Sequence, residues 1–161
     1  LLVSKHDSQK YANKNYILVY QIHNDPKLSD YAKRIARQTG KELLRVNPYL
    51  HQKFRGGKFI CCPDLGEFLA LIDNASCIIT DSFHGTCFAI NFGKQFIEIL
   101  PNNATGTRNQ SILELTGLSN RILRDFDDYS LIDEVIDYGK VYEVLVAERR
   151  KSLEGMKSLF I

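Results

Sequence analysis

"CIIT", residues 77 to 80, is a strand-length run with no polar alternation, and it breaks at once into "DSFHGTCFAINFG". A strand with one wet face alternates apolar and polar residues, so a continuous apolar run belongs in a sheet covered on both faces. The same reading applies along the chain. "YILVYQI" (16–22) is rich in β-branched and aromatic residues, "KELLRVN" ends at Pro48, "KFICCP" follows, and "KQFIEIL" comes after Gly93. Helical periods lie between these runs. Asn24 or Asp25 can cap a helix over about 26–39 that Pro26 opens, with Leu28, Tyr31, Ala32 and Ile35 on one face and Gly40 at its end. In "PDLGEFLALIDNAS", Pro63 suits the first helical turn, Asp64 and Glu67 its positive end, and Phe68, Leu69 and Ile72 recur at helical spacing. Residues 49–57, with "FRGGK", read as loop.

Buried strands separated by helices predict one α/β domain over 1–161, a Rossmann-like, doubly wound parallel sheet. A final helix over 139–161 would close it, its stripe formed by Val141, Leu145, Leu153, Met156 and Phe160. Such a helix can also leave apolar surface uncovered here. Sheets of this kind bind ligands beyond the carboxyl ends of their strands, where loops enter helix N-termini. Two loops qualify, "QIHND" after the first strand and "TDSFHG" after "CIIT".

In the second loop Thr80, Asp81 and Ser82 carry oxygens suited to capping, and Gly85 removes a side chain where a ligand could approach. His84 falls in the first turn. Unpaired N–H groups and the helix dipole make that position receptive to carboxylate or phosphate, and a cationic imidazole is favourable there only when an anion joins it. The plain alternative is that His84 bonds a neighbouring backbone group. No GxSxG elbow makes Ser82 a nucleophile, and "FRGGK" lacks phosphate-loop spacing and reads as a turn. Gln21, His23 and Asn24 either line the same cleft or serve as loop and cap residues.

Composition removes several classes of function. With 21 basic and 19 acidic side chains the net charge is +2, and the basic residues are scattered apart from "ERRK", so no field for nucleic acid exists. No apolar run approaches the roughly 18–20 residues that span a bilayer, and the start lacks signal-peptide order, which places the protein in the cytoplasm. Cys61, Cys62, Cys77 and Cys87 have the wrong spacing for a zinc knuckle or redox pair, so they are expected to be reduced and mostly buried; His6 and His51 have no metal-ligand company, and no metal site is expected. The chain begins "LLVSKHD", without methionine, which is expected of a piece of a longer protein.

"EFLALIDNASCIITDSFHGTCFAINFGKQF" followed by "TRNQSILELTGLSNRI" resembles the C-terminal half of the polysaccharide pyruvyl transferase family. The shared features are an "NA" turn, an apolar strand, a T/N-S-F-H-G segment, a helix leading into a "K-P-F" strand, and an Arg-led helix ending in "L-G-L". Gln95 stands where the family has proline, and Thr116 and Gly117 fill the L-G step. The likeness covers roughly residues 1–125, with "LLVSKHD" similar to the segment that enters this domain.

The resemblance implies the second domain of a two-domain, GT-B-like enzyme of polysaccharide biosynthesis, the missing N-terminal domain facing this one across a cleft. It implies transfer of the enolpyruvyl unit of phosphoenolpyruvate to a sugar or lipid-linked saccharide, forming a pyruvate ketal with release of phosphate and no cofactor, and an isolated fragment that is inactive. It also implies roles for residues. His84 is the expected acid, base or anion ligand; Ser82, Gly85, Thr86 and Arg108 are expected at the substrate, with Gln21 and Asn24 beside them. A glycosyltransferase half of the same architecture using a nucleotide-sugar, and a noncatalytic binding domain, are the competing readings.

Overall fold

The computed structural model describes residues 9–12, 15–101 and 105–158. The segment "LLVSKHD", His6 and Phe160 lie outside the described residues. Five strands, β1 (Tyr16–Tyr20), β2 (Glu42–Val46), β3 (Lys58–Ile60), β4 (Cys77–Thr80) and β5 (Phe96–Glu98), form one sheet in the order β3-β2-β1-β4-β5. Every pairing is parallel, with Leu18 opposite Leu44 on one side and Ile78 on the other. The expected Rossmann-like sheet is therefore present.

Both faces are covered, which is why the strands lack alternation. Tyr16, Leu18, Ile78 and Phe96 pack with Leu71, Ile72, Ala89, Ile90 and Leu113. These come from helices α2 (Leu65–Asn74), α3 (Phe83–Asn91) and α4 (Gly106–Thr116). On the opposite face Ile17, Val19, Ile79 and Ile97 meet Leu28, Tyr31, Ala32 and Ile35 of α1 (Pro26–Thr39), with Leu123 and Leu131 beyond. Each fully buried Leu or Ile contributes about 1.5–3 kcal/mol. These two layers hold the sheet ends that carry the loops.

The helix boundaries follow local chemistry. Asp25 caps α1 by accepting from the Lys27 N–H at 2.8 Å, Pro26 opens the helix, and Gly40 closes it at φ 64°. Before α2, Asp64 and not Pro63 meets the first turn; its carboxylate accepts from the Glu67 N–H at 2.8 Å, and Pro63 falls outside the helix. The stretch expected as loop at 49–57 contains a 3₁₀ helix, Leu50–Arg55, and then Gly56 and Gly57 at φ 89° and 84°. Overlapping i,i+3 turns leave no apolar stripe to announce such a helix.

The cysteines depart from expectation in one respect. All four are free, but Cys61 and Cys62 are exposed, Cys87 is half-buried and only Cys77 is buried. The exposed pair follows β3, an edge strand of three residues, where the chain leaves the sheet with Cys62 at φ 46°. Helix α5 (Tyr138–Ser158) buries Val141 and half-buries Leu145, whereas Leu153 and Met156 face outward. Among the described residues, no helix is long and apolar enough to cross a membrane.

After α4 the chain returns beside β5 and is pinned by a buried cation. Ile122 bridges Glu98 in parallel, and the Leu123 N–H donates to the Glu98 carbonyl at 2.8 Å. Arg121, 1% exposed, donates to the carbonyls of Phe96 at 2.9 Å, Leu131 at 2.7 Å and Glu134 at 3.2 Å. One guanidinium thus satisfies three backbone acceptors from two segments. Truncation leaves them dry, and buried unsatisfied acceptors cost about 1–3 kcal/mol each. Arg121→Ala is expected to lower unfolding stability by about 3 kcal/mol or more in urea denaturation, and Arg121→Lys to recover only a minor part, because an ammonium cannot fork to three carbonyls.

Candidate active site

The strand order reverses direction at β1 and β4. From β1 the chain moves to β2 through α1 on one face, and from β4 it moves to β5 through α3 on the other. The loops after the two strands therefore diverge and open a crevice between them. A cavity of about 210 Å³ occupies it, lined by Tyr20, Ile22 and His23 from the first loop, Asp81, Ser82, Phe83 and His84 from the second, and Thr105, Arg108 and Asn109 at the start of α4. This is below the roughly 300–1,000 Å³ of drug-sized sites and suits a small ligand. A larger depression of about 650 Å³, around Gln38, Lys41 and Tyr129, lies where α1 leads into β2, away from the carboxyl ends of the strands.

Asp81 ties the two loops together. Its carboxylate, 3% exposed, accepts from the Ile22 N–H at 2.6 Å and the His23 N–H at 2.9 Å. His23 Nδ1 also lies 3.3 Å from Oδ2, and its Nε2 is 3.3 Å from Thr105 Oγ1. Burial pushes the Asp81 carboxyl above its usual range, against the pull of the two N–H groups and His23. The Asp81 carboxylate and the Thr105 hydroxyl thus lie against the two ring nitrogens of His23. His23 thus sits between the β4 loop and the start of α4.

The start of α3 is built as the loop sequence suggests, with the oxygens divided among three tasks. Ser82 is the cap, its Oγ accepting from the Gly85 N–H at 3.4 Å. Thr80 Oγ1 donates to the Tyr20 carbonyl at 2.7 Å and accepts from the Ser82 N–H at 3.0 Å, stitching β4 to β1. Asp81 crosses the crevice. As at any helix start, the first N–H groups, those of Phe83 and His84, have no carbonyl a turn behind them. His84 stands exposed at the rim.

Arg108 faces the same cavity from α4, its guanidinium 5.4 Å from the centre of the Phe83 ring. The Phe83 and His84 rings meet edge-on at 5.9 Å. Phe83 thus stands between the two candidate anion-binding groups. Its position between the cap and His84 in "SFHG" is the only sequence signal for it.

The other expected residues occupy different places. Gln21 is fully buried and does not line the cavity. Its Oε1 accepts from Arg45 at 2.9 Å and Ser29 at 3.1 Å, and its Nε2 donates to the carbonyls of His23 and Asp25 at 2.8 and 2.7 Å. It shapes the His23 loop from below. Asn24 is exposed outside the cavity and accepts from Arg55. Thr86 is fully buried, its hydroxyl turned to Glu98 and the Ser82 carbonyl. What approaches Gly85 is the sheet, since a Cβ there would stand 2.4 Å from Thr80 Oγ1 and 2.9 Å from Tyr20 Cδ1. Among the described residues, no three His, Cys, Asp or Glu side chains group to hold a metal.

A doubly wound sheet with convergent polar groups at its reversal point is a Rossmann-like domain with a ligand crevice, and solved structures share this fold. The chain superposes on a putative UDP-N-acetylglucosamine 2-epimerase from Listeria monocytogenes with a TM-score of 0.55 at 16% identity, covering 88% of this chain and 42% of that one. It superposes on S. aureus MnaA, in a co-structure with UDP, with a TM-score of 0.53 at 17% identity, covering 91% and 41%. The chain spans less than half the length of either. These likenesses bear on the fold alone, a Rossmann-like α/β domain. No curated protein matches in sequence. The chain belongs to the polysaccharide pyruvyl transferase family, whose model matches residues 1–103.

The contact at Gly85 is testable. An alanine there must push α3 off the sheet or rotate Thr80, breaking its bonds to Tyr20 and Ser82. Gly85→Ala is expected to cost about 1–3 kcal/mol of stability and to move the His84 ring signals in NMR; unchanged signals and midpoint would show that the helix start has slack.

Proposed function

We propose that this chain is the donor-binding half of a pyruvyl transferase that moves the enolpyruvyl group of phosphoenolpyruvate to a saccharide of a polysaccharide. The observation that carries the reading is the convergence of His84, Arg108, a helix N-terminus and the Asp81-held His23 on one small cavity. Phosphoenolpyruvate carries a phosphate and a carboxylate. One anion suits the N–H groups and imidazole at the start of α3, the other the fork of Arg108.

The reaction needs a proton delivered to C3 of the donor while a sugar hydroxyl adds its oxygen to C2 and gives up its own proton. A second hydroxyl then displaces phosphate from C2, its proton leaving with the phosphate, and the product is a cyclic ketal plus inorganic phosphate. His84 would give the first proton beside the anion. His23, with Asp81 beside it, would accept the hydroxyl proton. The acceptor saccharide would be held mainly by a second, N-terminal domain across the crevice, and the reaction would proceed in the cytoplasm without a cofactor.

Isothermal titration with phosphoenolpyruvate tests the donor site. Saturable binding is expected, and Arg108→Ala and His84→Ala are each expected to weaken it about tenfold or more, about 1.4 kcal/mol. Binding of a nucleotide-sugar in its place, with none of phosphoenolpyruvate, would overturn the reading in favour of glycosyl transfer.

A further inference from the structure

Behind the cavity lies a carboxyl group that the chemistry above does not use. Glu98 ends β5 in the otherwise apolar run "FIEIL" and has no exposure. Its Oε1 accepts from Asn109 Nδ2 at 2.5 Å, and its Oε2 lies 2.5 Å from Thr86 Oγ1. Thr86 Oγ1 also lies 3.0 Å from the Ser82 carbonyl, one helical turn back. Asn109 adjoins Arg108 and lines the cavity; Thr86 sits two residues beyond His84, and Ser82 is the cap of the same helix.

Counting hydrogens favours one state of the group, although the Ser82 carbonyl also accepts from the Thr86 N–H at 2.9 Å. A carbonyl only accepts, and a threonine hydroxyl carries one hydrogen. Were Glu98 ionised, that hydrogen would serve either Oε2 or the Ser82 carbonyl, and the other short contact would join two acceptors. With the hydrogen on Oε2, Glu98 donates to Thr86, Thr86 donates to Ser82, and Oε1 accepts from Asn109. Every contact then holds one hydrogen.

We infer that Glu98 is a positioning residue that acts as a neutral carboxylic acid, its proton completing a chain from Asn109 to the Ser82 carbonyl that fixes the first turns of α3 and α4 relative to each other. The inference rests on the reading of the cavity as the phosphoenolpyruvate site. Through this chain His84 and Arg108 keep their spacing across the cavity, although Glu98 touches neither. Electrostatics agrees. Burial pushes the Glu98 carboxyl up to about 8, Asp81 at the end of β4 adds to the rise, and Thr86 and Asn109 pull the other way. The other titratable group in its surroundings, Cys87 on α3, is itself held up by burial and by Glu98. A buried carboxylate without a cation is costly, and protonation removes the cost.

Glutamine reproduces the acid's pattern, with Nε2 donating to Thr86 and Oε1 accepting from Asn109. The sign of the stability effect follows. From the ordinary value of 4.5 to about 8 the folded form holds a proton that the unfolded form has lost, so this group's contribution falls as pH rises through that window. The E98Q variant has no such proton.

The test is a titration of protein labelled with ¹³C at the glutamate carboxyls, with E98Q supplying the assignment, alongside thermal melts and phosphoenolpyruvate affinity across the same pH range. One carboxyl signal is expected to stay in its protonated position at neutral pH, to titrate near 8, and to be missing from E98Q. Wild type should lose melting temperature relative to E98Q between about 4.5 and 8, and lose affinity several-fold above 8 where E98Q does not; Glu98→Ala should bind weakly at every pH. A Glu98 signal already ionised near pH 6, or an E98Q variant that binds weakly where wild type binds well, would overturn the inference. Failure of wild type to bind phosphoenolpyruvate at any pH overturns the reading of the cavity instead, and the carboxyl titration then decides this inference alone.

Discussion

The site depends on one carboxylate placed between two diverging segments. β1 and β4 are adjacent, yet their continuations leave on opposite faces of the sheet, because connections running toward β2 and toward β5 must lie on opposite faces to keep the same hand. Divergence makes the crevice and also leaves backbone N–H groups of the β1 loop facing its interior. Asp81 satisfies two of them from the β4 side, and in doing so brings His23 against its own oxygen. Without that crossing the two loops would share a sheet edge and nothing more. With it, groups 58 and 59 residues apart in sequence become one wall.

Much of this was legible in the sequence because it is local. The strands announced themselves as apolar runs, α1 by its period between Asp25 and Gly40, and the crevice by the rule that ligands meet the carboxyl ends of parallel strands. His84, Ser82 and Arg108 meet at the cavity as their positions in "TDSFHG" and "GTRNQS" suggested. What the sequence concealed is where polar side chains turn once the chain folds. Asp81 read as one of three capping oxygens, but only Ser82 caps, and Gly85 read as room for a ligand although its missing Cβ is room for Thr80 and Tyr20. Gln21 and Thr86 read as cleft residues, yet both point into the protein. Their partners, Arg45 and Glu98, lie on other strands, and no local period encodes a partner at that distance.

A usable signal nonetheless existed in the strands themselves. "LLRV" and "FIEI" each carry one charged residue in a run that must be buried on both faces, and a charge in that position demands an explanation. Arg45 is fully buried and held by neutral acceptors, at 2.9 Å by Gln21 and at 3.3 Å by Gln52 and the Gly56 carbonyl, with Ser29 at 3.2 Å. Its guanidinium sits well below its ordinary range because burial and the nearby Arg55 disfavour the charge. It remains a cation, since about 10 is still far above neutral pH.

The two buried charges on β2 and β5 therefore resolve in opposite ways, and the difference bears on the ligand. Arg45 keeps its charge because a guanidinium remains protonated even in this environment, whereas Glu98 can shed its charge by taking up a proton. A cation retained beneath the His23 loop shifts the local balance toward positive, and an acid neutral beneath α3, as inferred above, would add no negative charge to offset it. Asp81 opposes it, and its charge is turned toward two N–H groups and an imidazole. On the proposed reading the crevice would thus be prepared for an anion by what lies under it as well as by what lines it, although the chain as a whole carries a net charge of only +2. Global charge says little about such a site, because screening over about 8–10 Å separates the scattered surface charges from one another while buried groups act on the cavity through protein alone.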